Sequence, residues 1–212
     1  MKTFFLLTVL SVSLHAQIFV RGSMGLNFVN MSPVRDYLNE NYAPANDQAG
    51  SFNSAVEFGG EAGYHFDGYD IALEGVYEFS SFTYSLGYAQ YTFDYTIFKP
   101  SLIYYKRIDG QGYFFRLGGG IGPRLVTVEE TKPPVTTPVK YTSTGFGIVI
   151  AASGNTMLAK NTYIYIAGDL RYDLNGEPEN ESGVKIQSRF RAENISLNSL
   201  SAGIKLGITY NF

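Results

Sequence analysis

Every second residue from Leu200 to the end of the chain is apolar: Leu200, Ala202, Ile204, Leu206, Ile208, Tyr210 and Phe212. Between them stand Ser201, Gly203, Lys205, Gly207, Thr209 and Asn211. Successive side chains of a strand point to opposite faces, so this pattern makes one face wholly apolar and the other small, polar or charged. Residues 162–174 repeat it, with Ile164, Ile166, Leu170 and Tyr172 opposite Tyr163, Tyr165, Asp169, Arg171 and Asp173. Residues 71–80 set Ile71, Leu73, Tyr77 and Phe79 against Glu74 and Glu78. Five further segments follow the rule: 18–30, 56–66, 91–107, 113–126 and 144–153. In the fourth strand Phe93, Tyr95 and Ile97 share one parity while Phe98, Pro100, Leu102 and Tyr104 share the other, which predicts a bulge at residues 97–99.

Tight links follow the second, fourth and sixth strands, at Asp67-Gly68-Tyr69, at Ile108-Asp109-Gly110-Gln111-Gly112 and around Gly154-Asn155, and longer loops follow the first, third, fifth and seventh. That alternation predicts an all-β fold, an eight-stranded antiparallel up-and-down transmembrane β-barrel with both termini on the short-turn, periplasmic side. Aromatic residues on the apolar face should then gather at headgroup level at both ends of the strands. Tyr64, Phe66, Tyr104, Tyr113, Phe115, Tyr210 and Phe212 fall at the periplasmic end, and Phe28, Tyr77, Phe79, Phe93, Tyr95, Phe146 and Tyr172 at the outer end. A soluble barrel would have to hold all these rings inside, and eight strands leave too little room.

Composition agrees with sheet. Aromatic residues make up 16% of the 212 residues and charged residues only 17%. With 16 Lys and Arg against 19 Asp and Glu, the formal charge of −3 offers no basic excess for nucleic acid. The absence of Cys excludes disulfides, thiolate metal sites and cysteine nucleophiles. Met1-Lys2, the apolar run from Phe4 to Leu14 and the small Ala16 have the layout of a signal peptide, so residues 1–16 are expected to be removed and residues 17–212 to form the barrel domain.

If the apolar face meets lipid, the other face is enclosed. It offers the cations Arg21, Lys99, Arg116, Arg124, Arg171 and Lys205 and the anions Glu57, Glu61, Glu74, Glu78, Asp94, Asp169 and Asp173. Isolated buried ions cost several kcal/mol each, so these groups are expected to pair across the lumen in one network. Phe19, Tyr105, Phe114, Tyr163 and Tyr165 face the same way near the periplasmic end and should plug that mouth.

The eight alternating strands, the periplasmic turns and the closing Leu206-Gly207-Ile208-Thr209-Tyr210-Asn211-Phe212 resemble the small outer-membrane β-barrel proteins of the OmpA/OmpX type. The resemblance implies residence in the outer membrane. It also implies that Ile208, Tyr210 and Phe212 serve as the signal read by the outer-membrane assembly machinery.

Chemistry is sparse. His15 leaves with the signal peptide, and His65 lies at the foot of the second strand, facing inward, away from where a lipid-modifying hydrolase would need a base. Gly118-Gly119-Gly120-Ile121-Gly122 has a dinucleotide-like spacing but sits within a strand, where flat residues permit curvature. No cofactor or metal is implied. In the outer loops, Ser32 is expected to cap a short helix with Pro33 at its first position. Lys132 to Pro138 should be extended. In the last loop Lys185, Arg189 and Arg191 have two readings: strand eight simply continuing above the membrane, or contact with lipopolysaccharide phosphates. Together these readings favour a non-enzymatic, monomeric outer-membrane barrel with a closed lumen, in contact with membrane lipid and lipopolysaccharide. A small-solute porin and a lipid-A-modifying enzyme are the alternatives, and no residue names an extracellular ligand.

Overall fold

The computed structural model describes residues 17–212 apart from Tyr88 and Arg191. The expected signal peptide at residues 1–16, and Arg191, therefore lie outside the described residues. Eight strands alternate in direction and close on themselves: β1 (Gln17–Asn30), β2 (Asn53–Phe66), β3 (Tyr69–Leu86), β4 (Ala89–Gly110), β5 (Tyr113–Thr131), β6 (Val139–Ala159), β7 (Thr162–Leu174) and β8 (Ser199–Asn211). Closure is by antiparallel pairing of β1 with β8, from Phe19↔Asn211 to Asn30↔Leu200. A register shift of β6 against β7 lies at Met157/Ala159. At the end where β1 begins and β8 stops, the links are the turns at Asp67-Gly68, Gln111-Gly112 and Lys160-Asn161; the last lies beyond the expected Gly154-Asn155, because β6 stays paired with β5 through Phe114↔Asn155 and Tyr113↔Thr156. Gly68 and Gly112 take the positive φ that such tight turns require.

The wall is not level. β3 to β6 run to 18, 22, 19 and 21 residues, while β1, β2, β7 and β8 stop at 14, 14, 13 and 13. The long loop expected after the third strand does not exist, because β3 and β4 stay paired up to Leu86↔Ala89. The two long connections spring from the low side of the rim. One, between β1 and β2, contains helix α1 (Ser32–Asn41); the other joins β7 to β8.

Over the lower part of every strand the apolar parity faces outward. Met24, Leu73, Leu102, Ile121, Ile166 and Ile204 all lie exposed on the outside, as do the turn-end rings Tyr64, Tyr104, Tyr113, Phe115, Tyr210 and Phe212. No water-soluble protein leaves so continuous an apolar belt uncovered, and this one has the form of a lipid-facing surface.

Above that belt the alternation changes sides. In β4 the inward series runs Tyr91, Phe93, Tyr95, Ile97, Lys99, Ser101, Ile103 and Tyr105, all buried, with no shift of parity. The expected bulge at residues 97–99 is absent: pairing with β3 passes unbroken through Glu78↔Ile97, Tyr77↔Phe98 and Val76↔Lys99. What changes at Ile97/Phe98 is which side is apolar. Beyond the lipid, water lies outside and the protein interior lies inside, so Phe93 and Tyr95 belong to the interior and not to the outer aromatic ring. Val126 and Val128 of β5 obey the same inversion.

This upper enclosure is filled from the low side. Val34, Tyr37 and Leu38 of α1 pack beneath the loop with Val29, Phe93, Ile97, Val128, Ile186, Ile195 and Leu197 in one apolar cluster. Burying a large apolar side chain contributes about 1.5–3 kcal/mol, so the cluster is what holds the two loops down. The helix begins one residue earlier than expected: Met31 occupies the cap position, its carbonyl accepting from Arg35 N–H at 2.9 Å, while Ser32 Oγ donates to Asn30 Oδ1. Residues 132–135 form a turn closed by Val135 N–H to Lys132 O at 3.0 Å, so the segment expected to be extended is bent at its start. β8 starts at Ser199, so the last loop is no continuation of strand eight; it folds back, with a bridge from Glu179 to Thr142 of β6.

Candidate functional site

The interior below the apolar cluster is a stack of ion pairs. At the turn end Arg116 bridges two strands, its Nη2 2.7 Å from Glu61 Oε1 and its Nε 2.9 Å from Asp70 Oδ2. Arg21 reaches Glu61 Oε2 at 3.5 Å and donates to Thr209 Oγ1 at 3.1 Å. Tyr105 OH donates to the same carboxylate at 3.2 Å, and its ring lies under the Arg116 guanidinium at 3.7 Å. Arg21 stacks over Tyr165 at 3.6 Å. The plug residues Phe19, Phe114 and Tyr163 close the layer, Phe114 and Tyr163 edge to face at 5.0 Å. Rings thus share the neutralisation of these cations, since a guanidinium over an aromatic face is attracted by its quadrupole.

Next comes a knot of five charges. Arg171 Nη2 meets Glu74 Oε2 at 2.7 Å and its Nε meets Asp169 Oδ1 at 3.2 Å. Lys205 Nζ lies 2.6 Å from Asp169 Oδ2, 3.3 Å from Glu74 Oε1 and 3.5 Å from Glu57 Oε1. Glu57 and Glu78 face each other across β2 and β3, as do Glu61 and Glu74. Four carboxylates on adjacent strands would repel one another without the cations that β1, β4, β5, β7 and β8 bring into the lumen.

The upper layer holds Lys99 between Glu78 Oε2 at 2.9 Å and Asp173 Oδ2 at 3.1 Å, with Arg124 Nε 2.5 Å from Asp173 Oδ1. Asn27 donates to Glu78 as well. Arg124 has a second task. Pairing of β4 with β5 lapses between Phe98↔Leu125 and Leu102↔Ile121, where Pro100 and Pro123 can donate no N–H. Arg124 Nη1 donates to the freed carbonyls of Pro100, Gly122 and Pro123 at 3.3, 3.1 and 2.9 Å and to Ser101 Oγ at 3.3 Å. Gly147 makes room for this, because a Cβ there would collide with both Arg124 and Asp173.

Of the thirteen residues assigned to the lumen from the sequence, twelve meet in these layers. Asp94 does not. It sits on the outer face of β4, half-buried at the rim beside Ser81 and Thr96, because it shares the parity of Phe98 and not that of Lys99. Three further interior ions escape the sequence reading. Asp70 and Arg107 lie at strand ends beside the tight turns, although Asp70 shares the parity of Glu74 and Glu78, which is signal enough. Glu130 lies beyond the expected end of the fifth strand; it accepts from Tyr37, from Tyr91 OH at 2.8 Å and pairs with Lys132 at 2.8 Å, tying α1 to the wall. Burial, reinforced by the Glu130 carboxylate, holds the Tyr37 hydroxyl well above the usual phenol range.

His65 has both ring nitrogens engaged, Nδ1 by Asp70 Oδ1 at 2.7 Å and Nε2 by Asn211 Oδ1 at 3.1 Å, and its ring stacks on Phe19 at 4.3 Å. Neither nitrogen is free to take a proton from a nucleophile. Among the described residues no group of three or more His, Asp or Glu side chains could hold a metal ion. An internal cavity of about 20 Å³ lies between Arg21, Glu61, Glu74 and Lys205, room for about one water. In the last loop Lys185 Nζ is exposed and 2.9 Å from Glu177 Oε2, and Arg189 N–H donates to Asn41 Oδ1. Ile208 and Tyr210 of β8 face outward, and Phe212, just past its end, is exposed too.

No protein-family model matches the chain, and no curated protein matches its sequence. Solved structures do match its fold. A major outer membrane protein from Thermus thermophilus superposes with a TM-score of 0.57 at 13% identity, over 93% of this chain and 99% of that one. Ail, the attachment invasion locus protein of Yersinia pestis, in complex with the heparin analogue sucrose octasulfate, gives 0.54 at 10% identity, over 94% and 100%. Neisserial surface protein A gives 0.50 at 14% identity, over 93% and 99%. With the lipid-facing belt and the closed ring of eight strands, the chain has the fold of the small bacterial outer-membrane β-barrels, the OmpA/OmpX type.

Proposed function

We propose that this is a non-enzymatic barrel of the outer membrane whose lumen is closed, and that it acts on the envelope through its lipid-facing wall and its outer loops. The observation that carries the reading is the filling of the interior from end to end. Aromatic rings block the turn-end mouth, three ion layers fill the middle and an apolar cluster under α1 and the last loop blocks the other mouth. Eight strands enclose about enough space for side chains alone. Purified protein in planar bilayers should therefore be electrically silent; stable nanosiemens steps would make it a porin.

Contact with lipopolysaccharide phosphates through Lys185, Arg189 and Arg191 is part of the proposal. Lys185 lies beside Thr142 and Thr144 on the outer flank of β6, close above Phe146, which is where the outer headgroups would be. Glu177 competes for the same ammonium, so the contact is expected to be weak: Lys185→Ala with Arg189→Ala should lower the lipopolysaccharide that co-purifies, and no change would remove it. Cleavage after Ala16, recognition of Ile208, Tyr210 and Phe212 by the assembly machinery, and a monomeric state complete the reading.

A further inference from the structure

The lipid-facing wall is not uniform. On its turn-end half, across β4 to β8, lies an apolar groove of about 550 Å³. Its floor follows one hydrogen-bonding rung of the sheet, in which Lys106 pairs with Leu117, Leu117 with Ala152, Ala152 with Gly168 and Gly168 with Ile204. Ala152 and Gly168 provide the depth, next to Gly154 in the neighbouring rung, over which the Phe115 ring leans. One end of the rung is charged: Lys106 is exposed, two residues beyond Tyr104 of the turn-end aromatic girdle, and its ammonium lies beside Gly68 of the β2–β3 turn, at the level of the headgroups.

We infer that this groove holds one acyl chain of an anionic phospholipid from the periplasmic leaflet, with Lys106 on the lipid phosphate. Three features select that occupant. The groove lies within the apolar belt, so it is in contact with lipid and not with water. Its length is four strand-to-strand steps of about 4.8 Å, or about 19 Å in all. Strands of such barrels tilt by about 35–45°, so a rung of that length climbs by about 12 Å, close to half of the roughly 25 Å apolar band. The groove thus starts at the headgroups and ends near mid-membrane at Ile204, the reach of one leaflet. The only charge along the rung stands at the headgroup end and is positive, which matches an anionic phosphate there.

The inference rests on the membrane-embedded reading but not on a closed lumen, so bilayer conductance and lipid retention fail independently. The test is native mass spectrometry of the full-length protein in detergent, with added phosphatidylglycerol or phosphatidylcholine of identical chains. The unchanged protein should retain one phosphatidylglycerol in preference to phosphatidylcholine. Lys106→Ala should weaken phosphatidylglycerol about fivefold and leave phosphatidylcholine alone. Gly168→Leu should displace both lipids, since a Cβ there meets only ordinary contacts and the fold tolerates it; Ala152→Leu provides a second filling variant. Lys160→Ala, in the turn between β6 and β7, should change nothing. Equal retention by all variants would overturn the assignment. So would a dimer that Gly168→Leu splits without affecting lipid, which would give the groove to a second copy of the chain.

Discussion

The same strands build two interiors. In the lower barrel β4 points Lys99, Ser101 and Tyr105 inward and Phe98, Leu102 and Tyr104 outward; a few residues higher it points Phe93, Tyr95 and Ile97 inward and Asp94 and Thr96 outward. The backbone is continuous and the parity never slips. Only the solvent changes, from hydrocarbon to water, and with it the side on which apolar groups are stable. Each interior is then stabilised differently. The lower one depends on charge neutralisation at contact distance, the upper one on close packing without counter-ions, apart from the one carboxylate that Tyr37, Tyr91 and Lys132 surround.

The comparison can be broken most forcefully in the lower part. Arg171→Ala leaves Glu74 and Asp169 buried with Lys205 as their shared cation, a loss on the order of 3–5 kcal/mol, measured as a lower midpoint for urea unfolding in detergent. Unchanged stability would mean that water reaches these groups. A smaller and more local effect is expected above. Leu38→Ala should cost about 2–5 kcal/mol, seen as faster amide exchange in α1 and the last loop while β1, β2, β7 and β8 keep their protection in the lower barrel. Loss of protection in the ion layers too would show that the two interiors unfold as one.

Lys132 sharpens the picture further. Burial lowers its pKa, but the Glu130 carboxylate outweighs burial and raises it above the ordinary 10.5. A group raised on folding stabilises fully below its unfolded value and loses that contribution as pH climbs through the folded one. Protease nicking between residues 132 and 138 should therefore be flat through neutral pH and increase only above about 10.5. The smallest effect is the most discriminating: Asp94→Ala should stay within about 0.5 kcal/mol, whereas a network member could not.

The eight strands, two of the three tight turns and twelve of the interior ions are legible in the sequence because hydrocarbon imposes strict alternation wherever it touches the wall; the third turn is misplaced because Gly154-Asn155 looks like a turn but stays paired within β6. The signal fails where that constraint stops. Phe82 and Tyr84 of β3 and Val126 and Val128 of β5 keep the inward parity, but there the apolar side is reversed, so a rule built on lipid contact ends the strands too early and passes over Glu130. Phe93 and Tyr95 fall on the outside only when the membrane rule is carried into water. Burial of α1 does not follow from Val34, Tyr37 and Leu38 alone, since an apolar helix stripe does not say what it covers.

The β3–β4 hairpin turns over at Gly87, whose positive φ suits a reversal of only two residues. That summit stands on the tall side of the wall, beyond Tyr84 and Tyr91, where Tyr42 of the first loop stacks on the Tyr91 ring and braces the ribbon. A foreign epitope spliced into it would be held clear of the cell surface on a stiff ribbon, which makes this protein a ready-made mast for displaying peptides.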